Sequence, residues 1–149
     1  EMATDTTRLA EHREIARRVN DEIWGQGNLD LIDEYVAEDY VEHNTASPED
    51  IHGREGYRAN VETVREAFPD VDVVLHHVVA EGDTVATHYT ITGTHRGPLM
   101  GIEPTGVEVE FSGMAVARIE DGRLVEDWSC VDLFGLMEQL GVGPDVPTA

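Results

Sequence analysis

The stretch DGRLVEDWSCVDLFGLMEQLG, residues 121–141, decides the fold of this chain, because it holds a turn, a strand and a helix in immediate succession. Asp121-Gly122 is a strong hairpin signal: a two-residue turn of the favoured hand needs positive φ at both central positions, which aspartate and glycine tolerate. Leu124 to Val131 then reads as a strand. Side chains alternate with a period of two, so Glu126, Trp128, Cys130 and Asp132 share one face while Val125, Asp127, Ser129 and Val131 share the other. Leu133 to Leu140 reads as a short apolar helix ended by Gly141, whose missing Cβ suits a left-handed C-terminal cap. A carboxylate where an apolar strand meets an apolar helix is either a helix cap or a buried acid. Asp132 stands at that junction.

Working back from the turn, Val107 to Ile119 reads as a strand, and Arg96 to Gly106, with three glycines and two prolines, as a loop over one end of the sheet. Thr84 to Thr94 and Val71 to Ala80 are β-branched-rich strands joined by a turn at Glu81-Gly82-Asp83. Gly53 to Phe68 has helical period in Tyr57, Val61, Val64 and Phe68, and Pro69 ends it. Tyr40 to Asn44 is a short extended piece followed by a polar loop through Pro48. Near the start, Glu1 to Thr6 is a loose end, and Leu9, Ala16, Val19 and Ile23 form the apolar stripe of a helix that begins at Thr7 and closes with Trp24. Asn28 is placed to cap a second, shorter helix that buries Ile32, Tyr35 and Val36. Helices first, then a meander of at least four antiparallel strands and a closing helix predict an α+β fold. The helices pack on one face of a curved sheet, in a single domain over 1–149 with its core at about 7–141.

Asp and Glu number 31 against 10 arginines and no lysine, a formal net charge of -21. Such a field repels nucleic acid and anionic membranes, whose binding rests on cationic groups at phosphates. The acids are scattered rather than blocked, and the composition resembles that of proteins from salt-accumulating halophiles. No apolar run reaches the roughly 20 residues that span a bilayer, so the expectation is a soluble protein of a high-salt cytoplasm. Cys130 is the only cysteine. It allows no intrachain disulfide and is expected to be a small buried hydrophobe. The spacings give no His-Glu-x-x-His pair, phosphate-cradling glycine loop or serine elbow, so no metal and no nucleotide cofactor is expected.

Three segments together, YVEHN at 40–44, GTHRGPLMGIEPTG at 93–106 and VEDWSCVDLFGLMEQLG at 125–141, resemble the SnoaL-like polyketide cyclases of the nuclear transport factor 2-like superfamily. The resemblance runs from about Leu9 to Gly141. It implies a cone-shaped α+β barrel whose cavity lies between the helical layer and the concave sheet, often in a homodimer. It also implies an aspartate near the C-terminal strand that acts as general acid and base in an intramolecular aldol closure. Asp132 is the position that matches best, with Asp127 as the fallback.

Carbanion chemistry beside a carbonyl needs a base of raised proton affinity and a donor for the enolate oxygen, and a carboxylate in an apolar pocket meets the first need. Asp132 is therefore the expected catalytic residue, with His88, mid-strand, as an acid or orienting partner. His43 and Asn44 are candidate donors to a substrate carbonyl, and Tyr40, Tyr57, Phe68, Met114 and Trp128 a candidate wall for a flat ligand. His95 and the His76-His77 pair are weaker candidates, and adjacent histidines in a strand, facing opposite ways, are not expected to bind one metal jointly. The expected function is cofactor-independent cyclisation or proton transfer on a small hydrophobic or aromatic carbonyl compound. The alternatives are a non-catalytic small-molecule-binding protein of the same fold, or an epoxide hydrolase-like enzyme built on Arg118 and Asp132.

Overall fold

The computed structural model describes residues 2–144; Glu1 and residues 145–149 lie outside it. Helix α1 spans Met2–Arg18 and runs on through a π-helical stretch, Val19–Gly25. Ala16, Val19 and Ile23 are buried along it, as the stripe requires. The helix starts at Met2 rather than Thr7. The second helix is shorter than expected, a 3-10 turn at Leu29–Leu31 and a single α turn, α2, at Ile32–Tyr35, and the Asn28 side chain makes no capping bond. Val36 already belongs to strand β1, Val36–Asn44, because tertiary pairing outweighs the weak local preference for continuing the helix.

The remaining elements are β2 (Ile51–His52), α3 (Gly53–Ala67), β3 (Asp72–Glu81), β4 (Thr84–Thr94), β5 (Glu108–Glu120), β6 (Arg123–Val131) and α4 (Leu133–Gln139). They build one six-stranded sheet in the order β2-β1-β6-β5-β4-β3. Every neighbouring pair is antiparallel except β1 with β6, which run parallel. Asp121 and Gly122 both take positive φ, 51° and 76°, the geometry that a tight turn of the favoured hand demands. Gly141 ends the chain's last helix at φ 78°.

Helix α1 packs on β3 and β4, α3 on β1 and β2, and α4 on β5. One apolar cluster, with Ile23, Ile32, Val36, Tyr57 and Val61 almost inaccessible, joins the first helices to the sheet. A second, around Phe68, Phe111 and Leu136, closes the end near α4. Each fully buried side chain of this kind contributes roughly 1.5–3 kcal/mol relative to exposure. The result is the α+β cone expected from the order of elements: helices cover the concave face of a curved sheet, and the space between the two clusters is left open as a cavity.

Candidate active site

The cavity has a volume of about 300 Å³ and a mostly apolar wall, drawn from Val19, Trp24, Val64, Phe68, Val85, Ile91, Phe111 and Ala117 among others. Gly113 on β5 makes room for one of its polar walls. A Cβ there would lie 2.6 Å from the Tyr89 ring, so only glycine lets that tyrosine lie against the sheet.

The carboxyl groups of the cavity wall come from β1 and β6. In their parallel register Glu42 sits opposite Asp127, and Asn44 opposite Ser129. Residues two apart on a strand share a face, so Tyr40, Glu42 and Asn44 look inward together with Asp127 and Ser129, and all five line the cavity. Tyr40 donates its hydroxyl to Asp127 Oδ2 at 3.5 Å, while Asp127 Oδ1 is buried with no hydrogen-bond partner. Burial first, and the neighbouring Glu42 second, push the Asp127 carboxyl from its ordinary 3.8 up to about 8, against the hydrogen bonds from Tyr40 and the Trp128 N–H.

Around the carboxyl stands an aromatic frame. Tyr40 meets Tyr57 edge to face at 5.2 Å, and Tyr57 meets Trp24 at 5.8 Å. Trp24 Nε1 donates to the Tyr57 hydroxyl at 2.8 Å, which leaves the phenol's own proton to offer elsewhere. Burial pushes the Tyr40, Tyr57 and Tyr89 phenols up, so all three stay neutral donors.

The face shared by Trp128 and Asp132 is the outer one. Asp132 is exposed, and its Oδ1 accepts the Gly135 N–H at 2.9 Å as the N-cap of α4. Of the two roles open to a carboxylate at that junction, the geometry is that of the cap. Trp128 and Met114 are 43% and 62% exposed on the convex side, opposite the cavity. His88 lies there too, its Nδ1 3.0 Å from His77 Nδ1 and its ring near that of His76. Cys130, expected inside, is exposed on the same face. His43 also points outward. Its Nε2 is 2.7 Å from Glu126, its Nδ1 is 3.1 Å from Asp50, and its ring packs on Trp128. Arg118 is engaged by Glu120 and Glu126 and does not line the cavity.

Of the expected residues, the structure thus gathers Tyr40, Tyr57 and Asn44 around the fallback Asp127. It leaves Asp132, His88, His43, Met114 and Trp128 outside. Glu42, Ser129, Asn60, Tyr89 and Trp24 line the cavity without being expected site residues, although the period of two in Tyr40-Val41-Glu42-His43-Asn44 already groups Glu42 with Tyr40 and sets His43 apart. Among the described residues no group of three or more His, Cys, Asp or Glu side chains is placed to hold a metal ion, and no helix is long and apolar enough to cross a membrane.

The chain is 32% identical over 119 residues to the nogalonic acid methyl ester cyclase of Streptomyces nogalater, covering 77% of this chain and 87% of that one. To the aklanonic acid methyl ester cyclase AcmA of Streptomyces galilaeus it is 25% identical over 122 residues, covering 80% and 84%. A solved structure from Jannaschia sp. CCS1, assigned to the SnoaL-like polyketide cyclases, superposes with a TM-score of 0.83 at 27% identity over 91% of this chain and 95% of the other. Residues 14–140, from the middle of α1 through α4, match the profile of the SnoaL-like polyketide cyclases, and the chain belongs to that family.

Proposed function

We propose that this protein closes a ring in a small aromatic carbonyl ester by an intramolecular aldol-type step, without a cofactor, with Asp127 as both base and acid. The carboxylate form of Asp127 takes a proton from the carbon beside a carbonyl, and the electron pair passes into the enolate. That carbon then attacks a second carbonyl of the same molecule, the new C–C bond forms, and the resulting alkoxide takes the proton back from Asp127. Tyr57, with its hydroxyl proton uncommitted, is a neutral donor on the cavity wall for the enolate oxygen. A base of raised proton affinity in a dry pocket suits a weakly acidic C–H.

One observation carries this reading: a buried carboxyl on the wall of an apolar cavity, with one oxygen lacking a hydrogen-bond partner among the described residues. The relatives' activity on polyketide acid methyl esters supports the substrate class. The test compares the wild type with Asp127→Asn on an aromatic polyketide methyl ester, measuring turnover and ligand affinity separately. Turnover is expected to fall by about 10²–10⁴-fold with affinity retained. If ligand binds to both proteins and neither converts it, the chain is a binding protein of the same fold. The epoxide hydrolase alternative gains no support from the site, since Arg118 lies on the opposite face of the sheet.

We also infer that a second copy of the chain covers the outer sheet face. Val74, Val79, Met114, Val116 and Trp128 are all 41–62% exposed there, a cluster of apolar side chains on a molecule of net charge -21. Apolar side chains in the middle of that face give a second copy a surface to bury. The acidic, lysine-free composition fits a saline cytoplasm, where the short Debye length screens such repulsion.

A further inference from the structure

The cavity holds two carboxyl groups in register and, among the described residues, no cationic side chain on its wall. Two carboxylates this close in a dry site are not both ionised at low cost, so the pair is built to hold one proton. Which member holds it follows from the hydrogen bonds.

Glu42, 5% exposed, is surrounded by donors. Asn44 Nδ2 donates to its Oε2 at 3.0 Å, Ser129 Oγ donates to the same oxygen, and Asn60 Nδ2 reaches Oε1 at 3.4 Å. The orientation of Asn44 is fixed independently, because its Oδ1 accepts the Ala46 N–H at 2.8 Å, which turns the amide nitrogen toward Glu42. An amide nitrogen only donates, so this arrangement suits an ionised carboxylate. Asp127 has poorer surroundings: a long contact from the Tyr40 hydroxyl on Oδ2 and the adjacent Trp128 N–H, while Oδ1 has no hydrogen-bond partner among the described residues and the cavity lies in front.

We propose that Glu42 is a positioning residue of this site: it carries the negative charge of the pair, and by doing so places the pair's single proton on Asp127. This rests on the reading of Asp127 as the acid/base group and deepens it, since it adds a neighbouring charge to the burial that makes that carboxyl a stronger base than a surface aspartate. The upward push on Asp127, with Glu42 as its second cause, agrees in direction. Ser129 and Asn44 then act one step further out, as the donors that keep the charge on Glu42. None of these three needs to touch the ligand.

The test reads the proton directly, by infrared difference titration of the ligand-free protein. The wild type is expected to show the carbonyl stretch of a buried, protonated carboxyl group at neutral pH, with a titration midpoint near 8, absent from Asp127→Asn. Glu42→Gln is expected to lower that midpoint by about one pH unit or more, a tenfold loss of proton affinity at Asp127. An unchanged midpoint in Glu42→Gln overturns the proposal, and so does a band that survives in Asp127→Asn and vanishes in Glu42→Gln. If Glu42→Gln does not fold, Ser129→Ala serves: removing a donor from Glu42 should move part of the band to one that persists when Asn also replaces Asp127. A Ser129→Ala spectrum identical to the wild type counts against the idea. Because no readout depends on turnover, failure of the cyclase assay leaves this test standing. An unmoved midpoint, in turn, leaves any turnover loss in Asp127→Asn intact.

Discussion

Asp127 and Asp132 lie five positions apart in the sequence and do opposite things. An odd spacing on a strand puts two side chains on opposite faces, so one aspartate enters the cavity and the other meets solvent at the start of α4. Removing the cap by Asp132→Ala is expected to cost about 1 kcal/mol of stability, read by urea unfolding, while turnover persists. The same change at Asp127 should show the reverse pattern. That the two candidates oppose each other was legible in the sequence, but which face turns inward was not. Trp128 suggested its own side because large aromatics are usually buried, yet this one is left on the convex surface. The decision belongs to the parallel pairing of β1 with β6, a contact between distant segments that no local pattern records.

At the scale of elements, the hairpins, α3, α4 and the glycine-rich loop were readable, because each rests on local turn chemistry or periodicity. Strand β1 was read short, since its first residues look helical and are extended only through pairing. Its end is tied to the loop at 45–50, which adds Ala46 and Ser47 to the cavity wall. His43 makes the tie, bridging Asp50 of that loop and Glu126 of β6. Hydrogen bonds to Glu126 and then Asp50 raise the His43 imidazole above its ordinary value of 6.5. A group raised in the folded state adds stability that is complete below the ordinary value and is lost as pH climbs through the folded one. Hydrogen exchange of residues 45–50 is therefore expected to speed up as pH passes that range, beyond the intrinsic pH dependence of exchange. In His43→Gln the excess should vanish; its persistence there would place the pH response elsewhere.

For the whole molecule, charge governs two expectations. With a net charge of -21 the compact state repels itself at low salt, so the melting temperature should rise steeply from low to molar KCl as the Debye length falls to about 3 Å. A melting curve indifferent to KCl would remove the case for saline adaptation. Met114→Glu adds a charge to the middle of the apolar outer face, where Met114 is 62% exposed and pairs with His88 and Cys130. Sedimentation should show a dimer for the wild type and a monomer for the variant, with secondary structure unchanged. If the wild type sediments as a monomer at all concentrations tested, the outer face has another role. The pairing of β1 with β6 also fixes a timetable. Tyr40 and Asp127 stand 87 residues apart, so during synthesis the first half of the site leaves the ribosome long before its partner strand exists. A chain that stops before β6 lacks Asp127 and Ser129, so it is the final strand of the sheet that completes the cavity wall.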